Sequence, residues 1–149
     1  MMRIIVDADS CPGRDIIEKA GKKKNIEVIM FIDVNHIIAS DYARIIYKDS
    51  GYQSVDMAVA NEAKIGDIVV TGDLGLSSMA LSKRAYVINN EGYYIDEKNI
   101  DELMFKRHIG SELRRMGKKS NCPKKRKPED NERLYKNLIK LIEKQNPPA

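Results

Sequence analysis

The chain has no tryptophan, two histidines and two cysteines in 149 residues. Cys11 and Cys122 stand far apart and outside any C-x-x-C or Cys/His spacing, which argues against a zinc site, a redox motif and a disulfide framework. His36 and His108 are too few for a histidine-rich metal centre, so any bound metal would be held by oxygen. No apolar run approaches the ~20 residues a membrane-spanning helix needs, and the N-terminus lacks a basic segment followed by an apolar signal core. A soluble cytoplasmic protein without a membrane partner is the expectation. Aromatic residues make up 6% of the chain, which leaves Tyr42, Tyr47, Tyr52, Tyr93 and Tyr94 as platforms for base stacking and gives no support to sequence-specific nucleic-acid reading.

Hydrophobic residues make up 42% and charged residues 32%, as in a globular protein with a heavily charged surface. The length suits one sizeable core. Charge is segregated. Residues 1–103 hold 12 Lys/Arg against 17 Asp/Glu, net −5, whereas residues 104–149 hold 14 against 5, net +9. Positive charge concentrated at one end of a chain points to a polyanionic partner.

Short β-branched runs alternate with helical segments. Residues 2–7 (MRIIVD) read as a strand, followed by a turn in which Ser10 or Cys11 can cap and Pro12 suits a first helical turn. Residues 27–33 (EVIMFID), 43–48 (ARIIYK), 67–71 (DIVVT) and 86–89 (YVIN) read as further strands. Helices are expected over 55–64, stopped by Gly66, and over the short stretch after Asp73. This alternation predicts an α/β fold, a three-layer α/β/α sandwich around a mostly parallel sheet, with the functional crevice at the carboxyl ends of the strands. Residues 99–117 form a long amphipathic segment with Ile100, Leu103, Met104, Ile109, Leu113 and Met116 on its apolar side. The division expected is 1–117 as the α/β domain and 118–149 as a basic linker plus a helix, its stripe Leu134, Leu138, Leu141 and Ile142 packing back on the same domain.

Asp7 and Asp9 follow the first strand, Asp73 follows the strand ending Val69-Val70-Thr71-Gly72, and Asp56 opens the helix that feeds that strand. With both strands parallel and central, four carboxylates from three segments reach one edge of the sheet. Taken singly, each aspartate is more often a cap of backbone N–H groups at a helix start. Taken together, they repel one another and call for compensation by a raised pKa, a basic neighbour or a bound cation. Hard divalent ions suit such an inventory, magnesium in particular because it keeps several waters. Asp67 and Asp33 read as structural.

The segments DADSCP, SVDMAVANEA, VVTGDLGLSSMAL, YVINNEGYYIDEKNID and RRMGKKSNCPKKRKPED together resemble the bacterial YaiI/YqxD family, over nearly the whole chain. That family is similar to the PIN-like nuclease superfamily. Its NYN branch carries a VD-x-x-x-A helix and a strand ending in S/T-G-D, matched here by Val55-Asp56 to Ala60 and by Thr71-Gly72-Asp73. The resemblance implies a PIN-like α/β/α fold and a Mg2+- or Mn2+-dependent phosphodiesterase acting on RNA, with Asp7, Asp56 and Asp73 as the catalytic carboxylates and Asp9 as a further candidate metal ligand. Where many PIN-like domains place another acidic residue, this chain has Leu74-Gly75-Leu76-Ser77-Ser78. A hydroxyl in place of that ligand, compensation by Asp9 and a weakened site are the three readings. Thr71 and Ser77 or Ser78 are second-tier candidates for orienting water or phosphate.

Eight of the fourteen residues from Arg114 to Lys127 are basic: Arg114, Arg115, Lys118, Lys119, Lys124, Lys125, Arg126 and Lys127. Such density favours phosphate binding over a merely solvated linker. Arg107 joins Arg114 and Arg115 on the preceding helix as a candidate phosphate contact. Two other functions compete. One is a non-catalytic RNA-binding protein with a degenerate acidic site. The other is a haloacid-dehalogenase-type phosphatase, suggested by Asp7-Ala8-Asp9 but disfavoured because the stretch to Asp73 is short for that superfamily's intervening motifs and a second late aspartate is absent.

Overall fold

The computed structural model describes residues 2–49, 54–118 and 125–145; Tyr52, Lys119, Cys122 and Lys124 lie outside the described residues. Six strands form one sheet in the order β3-β2-β1-β4-β5-β6. They are β1 (Arg3–Asp7), β2 (Glu27–Asp33), β3 (Arg44–Lys48), β4 (Ile68–Val70), β5 (Tyr86–Ile88) and β6 (Tyr94–Ile95). The first five pair in parallel, and β6 closes one edge antiparallel to β5.

Side chains alternate across the pleat and build a core on each face. Ile4, Val6, Val28, Met30, Ile68 and Val70 face α1 (Arg14–Lys24) and α5 (Pro128–Gln145). Ile5, Ile29, Phe31, Val69 and Val87 face α2 (Val55–Glu62), α3 (Leu74–Ser82) and the start of α4 (Ile100–Arg115). This is the three-layer α/β/α sandwich expected from the alternation. Helix α5 packs on α1, burying Leu134, Leu138, Leu141 and Ile142.

Three local details differ from the sequence reading. Residues 8–10 form a 3-10 turn and α1 begins later, at Arg14 with Gly13 at its N-cap, instead of being capped by Ser10 or Cys11. Helix α2 stops at Glu62, and Gly66 serves the turn into β4, where its φ of 85° favours a residue without a Cβ. Strand β6 was not foreseen, because two residues are too few to show a period. Its turn is set by Gly92, at φ 89°, where a Cβ would lie 2.5 Å from the backbone nitrogen of Leu134 in α5.

The far end of β1 is tied down by Arg3. Its guanidinium meets Asp67 Oδ2 and Glu62 Oε1, each at 2.7 Å, and its backbone N–H donates to Asp67 Oδ1. Asp67 is 1% exposed and also accepts from the N–H of Lys64, so its role is structural, as expected. Removing one partner of a buried pair strands the other charge, so Asp67→Ala should cost about 3 kcal/mol in urea unfolding. A loss below about 1 kcal/mol would show that Arg3 finds solvent without disturbing the sheet.

Candidate active site

The register of β1 on β4 runs Ile4 to Ile68, Ile5 to Val69 and Val6 to Val70. The next residues in step are Asp7 and Thr71. Thr71, 1% exposed, donates from Oγ1 to Asp7 Oδ2 at 3.1 Å and accepts from the backbone N–H of Asp73 at 3.0 Å. One hydroxyl thus connects the two central carboxylate segments. Asp73 then caps α3, its Oδ1 accepting from the N–H of Leu76 at 3.0 Å.

Asp56 stands in the first turn of α2, capped by Ser54, and its charge acts on Asp7. Asp9 is exposed, and its Oδ1 accepts from the N–H of Asp33 at the end of β2. Asp7 is largely buried, and its carboxyl is pushed above the ordinary aspartate range. Burial is the main cause, the charges of Asp9, Asp56 and Asp73 add to it, and the Thr71 hydrogen bond opposes it. Asp9, Asp56 and Asp73 thus each act on Asp7 through their charge.

The hydroxyls divide. Thr71 positions Asp7 and the Asp73 backbone, whereas buried Ser77 donates to the carbonyl of Asp73 and so closes the first turn of α3. Ser78 is exposed. Among the described residues, no group of three or more His, Cys, Asp and Glu side chains is gathered as a ready metal-ligand set. The donors are nonetheless all oxygen, a type that fits magnesium or manganese.

A cleft of about 720 Å³ adjoins this edge, lined by Pro12, Asn90, Tyr93, Lys125, Lys127 and Arg133 among others. Asn90 touches both regions, since its amide nitrogen would lie 3.1 Å from a Cβ placed on Gly72 of the TGD stretch. The cleft owes its position to a run of three carbonyls in the β5–β6 turn. Asn90 O accepts from Arg126, Glu91 O from Arg133 and Gly92 O from Asn137.

Arg126 also donates to Asn131 from Nε and Nη2, so it works as a clamp. Lys125 and Lys127 are exposed on the cleft, which also carries Glu91, Glu129 and Asp130. Arg107, Arg114, Arg115 and Lys118 are exposed on or just after α4; Arg114 donates to Ser111, and Arg115 pairs with Glu112. Lys119 and Lys124 lie outside the described residues. Arg133 escaped the sequence reading because it sits beyond the charge run; its spacing of three from Asp130, with which it pairs at 2.9 Å, was the available signal. Asn90 had no such signal. A second groove, of about 760 Å³, lies at the opposite end of β5 and β6 among Arg84, Tyr86, Tyr94 and Lys140; none of the four aspartates lines either this groove or the cleft beside Asn90.

The family described as "Uncharacterized BCR, YaiI/YqxD family" matches residues 5–144, a span that holds all four aspartates and the α5 clamp. The chain belongs to the YaiI/YqxD family. It is 54% identical to a UPF0178 protein of Clostridium novyi (strain NT), over 96% of each chain. It is also 54% identical to a UPF0178 protein of Clostridium tetani (strain Massachusetts / E88), over 96% of this chain and 98% of that one. A UPF0178 protein of Natranaerobius thermophilus is 42% identical over 95% of both chains. No solved structure matches the chain.

The acidic edge of this YaiI/YqxD protein makes a direct prediction. Because the folded Asp7 pKa lies above its unfolded value, the neutral carboxyl is the form the fold favours. That contribution is fully present below the unfolded pKa and is lost as pH rises through the raised folded value. Asp7→Asn should therefore raise the melting temperature at neutral pH by a few degrees and flatten stability between the two pKa values. A variant less stable than wild type at neutral pH would show that Asp7 is held by an attractive partner.

Proposed function

We propose that the chain is a metal-dependent phosphodiesterase acting on RNA, as its resemblance to PIN-like nucleases implies. The observation that carries this reading is the Thr71 bridge. It joins Asp7 and Asp73 at adjacent parallel strand ends, in an environment where Asp7 also feels Asp9 and Asp56. A sheet that concentrates like charge at one edge, at a cost in stability, is well explained by a ligand of opposite charge.

Asp7 and Asp73 would hold Mg2+ or Mn2+, with Asp56 as a direct or water-linked ligand and Asp9 in support. A bound divalent ion of this kind lowers the pKa of a water and neutralises non-bridging phosphate oxygens. Thr71 fixes one oxygen of Asp7 and the backbone of Asp73, and Lys125 and Lys127 attract the phosphate backbone toward the cleft beside Asn90. Tyr93, exposed on the same cleft, offers a ring on which a base of any identity could stack, in keeping with a substrate held by its backbone.

A second reading, RNA binding without cleavage, is favoured by one specific feature. Asp73 and Asp9 each use an oxygen to accept a backbone N–H, and no closed set of three ligands is formed among the described residues.

One variant separates the two. Asn caps helices as well as Asp does, so Asp73→Asn should keep the fold. With Mn2+ or Mg2+ present, wild type should shorten a mixed RNA pool, and Asp73→Asn should slow cleavage on the order of a hundredfold while RNA binding in filter or gel-shift assays is retained. Wild type that binds RNA and leaves it intact at every metal concentration would establish the second reading. The double variant Lys125→Glu/Lys127→Glu should weaken RNA binding and lower its salt dependence by about two counterions in either case.

A further inference from the structure

The cleft beside Asn90 continues around the β5–β6 hairpin. A hollow of about 450 Å³ along β6 shares Tyr93 with that cleft, and it shares Tyr94, Ile95 and Asp96 with the 760 Å³ groove at the opposite end of the two strands. The three depressions therefore adjoin one another in sequence. Two tyrosines mark the passage, Tyr93 53% exposed and Tyr94 38%. Both rings are held: the Arg133 guanidinium lies 4.4 Å from the Tyr93 ring centre, and the Tyr94 hydroxyl donates to the carbonyl of Asn137 at 2.9 Å. Fixed, partly exposed rings are platforms on which flat groups stack.

The far groove is basic. Arg84, Lys98, Lys140 and Lys144 line it against two carboxylates, Asp96 and Glu97, and Asp96 Oδ1 accepts from the N–H groups of Lys98 and Asn99. Among the described residues none of these four cations makes an ion pair. Lys140 and Lys144 stand four apart on α5, a spacing at which like charges repel. Arg84 sits just past the C-cap of α3 at φ 63°, a left-handed conformation that glycine ordinarily fills. An arginine kept there, beside two lysines without a counter-charge, points to an anion.

We propose that the three depressions form one track for a single strand of RNA, its phosphates on Arg84, Lys140 and Lys144 and its bases against Tyr94 and Tyr93. The proposal rests on the RNA reading of the acidic edge and adds to it the strandedness of the substrate and a second region of contact. Stacking on the tyrosines needs unpaired bases, which a duplex keeps inside its helix. A peptide strand added to β6 is disfavoured, because Asn99 already accepts from the N–H of Asp96 and donates to the carbonyl of Tyr94.

The test is fluorescence anisotropy with an unpaired RNA of about 12 nucleotides and a duplex of the same length, with EDTA and with Mg2+. Lys140→Glu/Lys144→Glu should weaken single-strand binding about tenfold. Lys23→Glu/Lys64→Glu, at exposed positions off the track and with the same change in net charge, should weaken it less than about threefold. Acetylation mapping of the wild type does not depend on any variant folding: bound single strand should slow labelling of Lys140 and Lys144 and leave Lys23 unchanged, and the duplex should protect neither groove lysine. Equal losses in the two double variants, or unprotected groove lysines on a wild type that binds RNA, would overturn the track and leave the proposed function standing. Equal binding and protection by the duplex would overturn the assignment to a single strand, and a wild type that binds no RNA in either condition would overturn both the track and the RNA reading.

Discussion

The pairing of β1 with β4 is the constraint on which the rest of the molecule depends. These strands are 64 residues apart in sequence and are fastened at both ends by side chains in the same step: Arg3 to Asp67 at one end, Asp7 to Thr71 at the other. A slip of one residue would turn every buried isoleucine and valine of β1 to the wrong layer. It would also break the ion pair and the hydroxyl bridge together. The structural ion pair and the candidate carboxylate site are thus set by one register, and the carboxylate edge cannot shift without the core shifting too.

That coupling explains how the fold tolerates an edge that works against it. Asp7 is buried beside three other carboxylates, an arrangement that burial and like charge both disfavour. Thr71 offsets part of this by donating to Asp7, and the stability of the two cores holds the remainder in place. On the other side of the edge, α5 is seated by its leucine stripe and locked by Arg126, Arg133 and Asn137 onto three successive turn carbonyls. The same contacts place Lys125 and Lys127 on the cleft beside Asn90, whose amide lies against Gly72 of the TGD stretch.

Much of this was legible in the residues. Strand-length β-branched runs alternating with helical stretches foretold a parallel sheet, and Asp7, Asp56 and Asp73 stood out because each follows a strand or opens a helix. Asp67 was recognised as structural without its partner, since Arg3 lies 64 residues away and no local pattern links them. Arg126 reads as one more member of a basic run, yet half-burial and two asparagine partners set it apart from Lys125 and Lys127. Strand β6 was invisible because its two residues become a strand through pairing with β5 and through the space Gly92 leaves for α5. On α4 the pattern misled: it grouped Ile100, Leu103, Ile109 and Met116 on one apolar side, whereas Ile100 is buried and Ile109 and Met116 stand exposed about half a turn round the helix.

The division follows from the range of the forces involved. Local periodicity, turn chemistry and charge order act over a few residues, so the sequence by itself determined the elements, the α/β class, the aspartates that open or follow them and the polarity of the two ends. Contacts between distant segments have no local signature. Tertiary structure alone decided that Thr71 would bridge Asp7 to Asp73, that Arg126 and Arg133 would clamp a turn, and that Phe105 would stand in solvent. Each depends on which surfaces remain after the two cores have closed.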